Sequence, residues 1–243
     1  MNAQAAARPR LALAPSPCGA LWIQLNGRPV QLRPSGAMWL EAERVLVAAD
    51  LHLEKGSSYA ARGQLLPTYD TPATLSRLEG EARLLQPDRI VLLGDSFHDR
   101  HGAWRLDPRD LARIAALAGA CRLTWAVGNH DEEGLDVLPG EVVDTLAFDS
   151  LVLRHEPVPG LADGEVAGHL HPCAKAAGAG RAVRRRCFAT DGARLILPAF
   201  GAYAGGLNLL DPAYAGLFRR PPNACALGRD KVHPLSYASL RPD

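Results

Sequence analysis

Five short polar motifs, each closing a mostly apolar run, constrain this chain more than its length or composition does. They are Asp50-Leu51-His52, Gly94-Asp95-Ser96-Phe97-His98, Gly128-Asn129-His130-Asp131, Arg154-His155 and Gly168-His169-Leu170-His171. The runs before them are Arg44 to Ala49, Arg89 to Leu93, Cys121 to Val127, Ser150 to Leu153 and Glu165 to Ala167, each short and apolar in the manner of a buried strand. Open α/β sheets bind ligands outside the carboxyl ends of their strands, so polar clusters at five strand ends are able to meet in one crevice. Gly94, Gly128 and Gly168 precede candidate ligands, where a residue without Cβ permits a sharp turn and close backbone approach.

The residue types suit one kind of chemistry. A lone histidine beside an apolar run is ordinarily a satisfied core or surface residue, but of the eight histidines here His52, His130, His155, His169 and His171 fall beside Asp, Asn or Gly at these strand ends. Hydrolysis of a phosphate ester at neutral pH needs a nucleophile made from water and a neutraliser for the phosphoryl charge. Two divalent cations roughly 3.5–4 Å apart provide both. Such a pair is held by carboxylate oxygen, imidazole nitrogen and an amide oxygen, with one carboxylate between the ions.

The order D-x-H, G-D-x-x-H, G-N-H-D, isolated H, G-H-x-H resembles that of the calcineurin-like metallophosphoesterases, over about Asp50 to His171. The resemblance implies an α/β fold, a two-sheet β-sandwich flanked by helices around a βαβ core. It implies that Asp50, His52 and His171 bind one ion, that Asn129, His155 and His169 bind the other, and that Asp95 bridges them. His130 would serve as general acid, with Asp131 orienting its ring by accepting a hydrogen bond. His98 stands where many phosphatases of the superfamily have Asp; a histidine there donates to a non-bridging oxygen of a diester, which favours nucleic acid.

A closer resemblance, over most of residues 20 to 210, is to the ligase-associated DNA damage response endonucleases, the PdeM family. It rests on Asp50 through Ser58, Gly94 through His101, His155-Glu156-Pro157, Gly168 through Pro172 and Leu197-Pro198-Ala199-Phe200-Gly201. It implies a manganese-dependent endonuclease for single-stranded or flapped DNA in bacterial repair, with a ligase and a helicase as associated partners. Mixed nitrogen and oxygen ligation fits Mn, Fe or Zn alike. His101, Lys55 and Arg62 are candidate substrate contacts. Two other readings remain open: a small-molecule phosphodiesterase or nucleotide pyrophosphohydrolase of the same fold, and a non-catalytic scaffold.

Composition sets the frame. A chain of 243 residues can bury one sizeable core, and 23 glycines with 19 prolines suit a turn-rich α/β sandwich rather than a helical bundle. Helices are expected after Thr71-Pro72, with Thr71 as cap and Leu75, Leu78, Ala82 and Leu85 on one face, and after Asp107-Pro108. From about Glu141 the pattern turns strand-rich. Residues 1–17 and 218–243 carry no motif and are expected to be flexible extensions around a domain spanning 18–217.

A net charge of +1 says little about partners. Arg100, Arg105, Arg109 and Arg113, and again Arg181, Arg184, Arg185 and Arg186, are local basic clusters suited to phosphate. Trp104 and Trp125 are aromatic surfaces on which bases stack, although Trp125 falls inside a strand pattern and belongs with the core. Five scattered cysteines without C-x-x-C spacing imply reduced thiols rather than a disulfide framework. No secretory signal is evident and no apolar run nears the ~18–20 residues of a membrane span, so a cytoplasmic protein is expected.

Overall fold

The computed structural model describes residues 13–131, 133–178 and 181–243. The first sheet runs in chain order: β1 (Leu13–Pro15), β2 (Leu21–Leu25), β3 (Arg28–Leu32), β4 (Met38–Leu40), β5 (Val45–Ala49), β6 (Arg89–Leu93), β7 (Arg122–Ala126) and β8 (Glu141–Val143). It begins as an antiparallel meander and becomes parallel from β5 onward. Parallel neighbours need crossovers. Here α1 (Lys55–Ala61) and α2 (Asp70–Leu85) join β5 to β6, and α3 (Gly102–Arg105) and α4 (Pro108–Ala120) join β6 to β7.

The second sheet holds β9 (Thr145–Phe148), β10 (Leu151–Arg154), β11 (Glu165–Ala167), β12 (Pro172–Gly178), β13 (Arg181–Thr190), β14 (Leu195–Ile196), β15 (Leu207–Asn208), β16 (Asn223–Leu227) and β17 (Val232–Leu235). Alternation along the strands sorts the core into layers. In β5, Val45, Val47 and Ala49 pack between the sheets against Leu151, Leu153, Val166 and Phe188, while Leu46 and Ala48 face Leu75, Leu78, Ile114 and Leu117 of α2 and α4. Two sheets flanked by helices around a βαβ core are the expected architecture. Among the described residues no helix is long and apolar enough to cross a membrane.

Three local expectations change. Helix α2 starts two residues early, with Tyr69 at the cap position, and Thr71 is buried inside its first turn, where its hydroxyl donates to Glu54 Oε1 at 2.9 Å and accepts from Glu54 N at 2.8 Å. Asp107 does cap α4, its side chain accepting from Arg109 N at 2.8 Å. The segment after Leu217 is no flexible tail: β16 pairs with β13 and β17 with β16, and Cys225 and Leu227 enter the core between the sheets. A strand that completes a core from far along the chain carries no local signature. Of the extension expected over 1–17, residues 1–12 lie outside the described residues, and 13–15 form β1 against β2.

Candidate metal centre

Because β5, β6 and β7 are parallel neighbours, Asp50, Asp95 and the Asn129-His130 pair leave the sheet at one edge. Strands β10 and β11, parallel in the facing sheet, deliver His155 and His169 to the same place, with Gly168 N donating to His155 O at 2.9 Å. The turns that aim these side chains are strained. Asp50, His52, Asp95, His169 and His171 all adopt positive φ, between 44° and 67°. Each such residue costs an L-amino acid about 1–2 kcal/mol, a cost that folded proteins tolerate mainly at functional sites. Close approach explains two glycines: a Cβ on Gly94 would lie 2.4 Å from the His155 ring, and one on Gly168 would lie 2.6 Å from Asp50 Oδ2.

Two groups of donor atoms result, each drawn together within 4.8 Å: Asp50, His52, Asp95 and His171, and Asp95, His155 and His169. Asp95 belongs to both. In the second group His155 Nε2 lies 2.9 Å from Asn129 Oδ1, 3.1 Å from His169 Nδ1 and 3.4 Å from Asp95 Oδ1. In the first, His171 Nε2 is 3.1 Å from His52 Nε2 and 3.3 Å from Asp50 Oδ1, and His52 Nε2 is 4.0 Å from Asp95 Oδ2. Ligand atoms sharing one ion at bonds of ~2.1 Å stand roughly 3.0–3.4 Å apart in octahedral or tetrahedral arrangement, so most of these spacings are those of a coordination shell.

Charge and tautomer agree with that fit. Asp50 is fully buried and Asp95 nearly so, and among the described residues the only basic side chains within 4.0 Å of either are histidines. Two buried carboxylates without a cation would be costly. The Nδ1–H of His155 donates to Leu93 O at 3.0 Å, which leaves Nε2 free as a ligand atom. Burial first, then the neighbouring His171, His130, His98 and Lys55, pushes the His52 imidazole down to about 2, so it stays neutral.

A cleft of about 310 Å³ opens over the first group, lined by His52, Lys55, His98, His130, His169 and His171 among others. The rings of His98 and His130 are nearly parallel there, 6.3 Å apart at 10°. His130 Nε2 stands 3.8 Å from Asp95 Oδ2, and burial, ahead of the charge on Lys55, lowers the His98 pKa. Lys55 Nζ donates to Tyr203 O at 3.1 Å at the cleft wall. Arg62 is an exposed residue at the end of α1, and His101 lies outside the cleft, its ring 5.9 Å from that of Trp104.

Asp131 differs from expectation. It does not reach the His130 ring. Its carboxylate accepts from Ser96 N at 2.9 Å and Phe97 N at 3.1 Å, fastening the loop that carries Asp95 and His98. Burial, opposed by those two bonds, raises its pKa to about 6.

Several basic residues also have structural partners: Arg105 with Asp99, Arg113 with Glu79 and Asp110, Arg184 with Asp243. Arg186 donates to Ala199 O and Gly201 O, bracing the turn whose Gly201 N bonds Asp50 O. The side chain of Arg181 lies outside the described residues, and Trp125 is buried in the core.

Sequence reading missed the supports around Lys55. Asp70 accepts from Lys55 N at 2.8 Å and Gly56 N at 3.3 Å, and Glu54, buried with left-handed φ, accepts from Ser57 and Thr71. Only the acidic residue opening α2 hints at this, and weakly, because such residues favour helix starts for many reasons.

The family model for calcineurin-like phosphoesterases matches residues 43–181. Among solved structures the chain is similar to the nuclease MPE of Pseudomonas putida, at 31% identity and TM-score 0.68, over 89% of this chain and 100% of that one. It is also similar to Yfce, a phosphoesterase from E. coli, at 16% identity and TM-score 0.41, over 79% and 98% of the two chains, too loose a likeness to build on. No curated protein sequence matches it. With the family model covering more than half of its length and a nuclease matched from end to end, this chain belongs to the calcineurin-like phosphoesterases and is a metal-dependent phosphoesterase.

Proposed function

We propose that the chain is a two-metal phosphodiesterase whose substrate is DNA, an endonuclease for single-stranded or flapped strands in bacterial repair. Asp50, His52 and His171 would hold one ion in this reading and Asn129, His155 and His169 the other, with Asp95, common to both donor groups, available to each. The ions, manganese as first choice, supply a nucleophile from water and neutralise charge on the phosphoryl oxygens. His130 gives its proton to the leaving alkoxide oxygen, and His98 donates to a non-bridging oxygen as charge develops there. Lys55, and Arg62 further out, attract the flanking phosphates. His101, outside the cleft and beside Trp104, contacts substrate further along the strand.

The observation that carries the reading is the pair of near-parallel imidazoles, His98 and His130, lining one cleft, with His130 Nε2 3.8 Å from Asp95 Oδ2. A phosphodiester bears a single charge, so beside two ions it needs hydrogen-bond donors more than further cations. Similarity to a nuclease at 31% identity supports nucleic acid as the source of that diester. The test compares bis-p-nitrophenyl phosphate with p-nitrophenyl phosphate for His98→Ala. A loss at least ten-fold larger on the diester is expected, and equal losses would remove the reason for choosing a diester.

A further inference from the structure

A second cleft, of about 460 Å³, lies beside the metal centre and has no part in the chemistry above. Its apolar walls are Trp104, Val127, Leu135 and Val142, with Glu133 and Asp136 also lining it. Trp104 is 55% exposed, whereas tryptophan is highly buried on average. The His101 ring packs 5.9 Å from it, and Gly134 lies so close that a Cβ there would meet the indole at 3.5 Å. The other described tryptophans are less exposed, Trp39 and Trp125 being buried and Trp22 half-buried.

Position and charge limit what the cleft can hold. Val127 is followed directly by Gly128, Asn129 and His130, and Asp131, which fastens the Asp95–His98 loop, lines the cleft as well. A ligand here therefore sits one turn of chain from the phosphoryl position. Asp131, Glu133 and Asp136 bring carboxylates to the lining and no described Lys or Arg joins it, so a second phosphate would be repelled. A neutral, flat group with N–H donors at its edge is suited instead: its face lies on the indole and its donors meet the carboxylates.

We propose that this cleft is a nucleobase subsite, taking the base of a nucleotide next to the scissile phosphate, stacked on Trp104 with its amine edge toward Glu133 and Asp136. The inference rests on the DNA reading of the metal centre. Stacking of one base is worth about ten- to a hundred-fold in affinity by alanine substitution.

The experiment measures kcat/KM of the parent chain, Trp104→Ala and Trp104→Phe on a single-stranded oligonucleotide and on bis-p-nitrophenyl phosphate, which has no base. The ratio of DNA to diester activity is expected to fall at least ten-fold in Trp104→Ala and much less in Trp104→Phe. A strand with abasic sugars around the cut should lose activity with the parent chain to a similar degree. Equal effects of Trp104→Ala on both substrates, or full cleavage of the abasic strand, overturn the subsite and leave the nuclease reading standing. If the parent cuts no DNA, the nuclease reading fails. Fluorescence then decides the subsite: the oligonucleotide must quench the parent's tryptophan emission more than that of Trp104→Phe, and equal quenching sinks it.

Discussion

Asp131→Ala should cost stability as well as activity, because the carboxylate holds backbone rather than a catalytic ring. The substitution removes the acceptor for Ser96 N and Phe97 N, at 2.9 and 3.1 Å, in a place only 3% exposed. Each buried N–H left without a partner costs about 1–3 kcal/mol. Burial, which holds the Asp131 pKa up at about 6, makes the charged carboxylate costly, and relief of that cost offsets roughly half of the sum, leaving a net loss of ~1–3 kcal/mol. For a chain of this size that is a fall in Tm of roughly 2–12 °C. Urea unfolding followed by circular dichroism measures the loss directly, and Asp131→Asn, which keeps one acceptor oxygen, should fall between the parent and the alanine variant. Activity on bis-p-nitrophenyl phosphate should decline in the same order, because Asp95 and His98 ride on the released loop. An alanine variant with an unchanged urea midpoint and lost activity would refute this account and return Asp131 to the role of orienting His130.

Particular contacts lead to three further outcomes. Arg194, 1% exposed, sets Nε 2.8 Å from Glu165 Oε2 beneath β11 and donates to Leu217 O and Val158 O, so Arg194→Ala strands a buried carboxylate and should cost ~3–5 kcal/mol in urea unfolding; a change under about 1 kcal/mol would mean that the more distant Arg154 suffices. Chelation of divalent ions should abolish phosphodiester hydrolysis and lower Tm, with manganese restoring both, because ions bound only by the folded state stabilise it by mass action; an unaltered Tm would show that the carboxylate and histidine cluster binds no ion. Iodoacetamide should label Cys18 first, since it is exposed and, against partial burial, the Ser16 hydroxyl, Ala20 backbone and Arg33 lower its pKa. Cys187 and Cys225, both buried, with burial pushing the first thiol far up and the second to about 12, should label only on unfolding; early labelling of either would contradict the packing of β13 and β16.

Much of the site could be read in the chain because its ligands lie just past buried strands. Val45–Ala49 and Arg89–Leu93 are apolar enough to be recognised alone, and the parallel pairing that such runs favour puts the residues after them at one edge. The features that could not be read depend on contacts between distant residues. Thr71 looks like a cap, yet Glu54, 17 positions earlier, takes its hydroxyl. Asp131 adjoins His130 in sequence, but the turn after β7 points it 35 residues back, to Ser96. Strands β16 and β17 come after a Pro- and Arg-rich stretch that reads as tail, and they order only because β13 offers an edge. The left-handed backbone of Asp50, His52, Asp95, His169 and His171 has only a weak signal in residue type, Asp and His adopting positive φ more readily than most L-residues; it arises from the need to aim five side chains into one crevice.

The most direct test of the central claim is nicking of circular single-stranded DNA by the purified chain with manganese, beside its Asn129→Ala variant. The account predicts that the parent opens the circle, which has no ends for an exonuclease, and that the variant does not. A circle left intact while bis-p-nitrophenyl phosphate is hydrolysed would contradict it, and nicking that survives Asn129→Ala would place the activity elsewhere than at this centre.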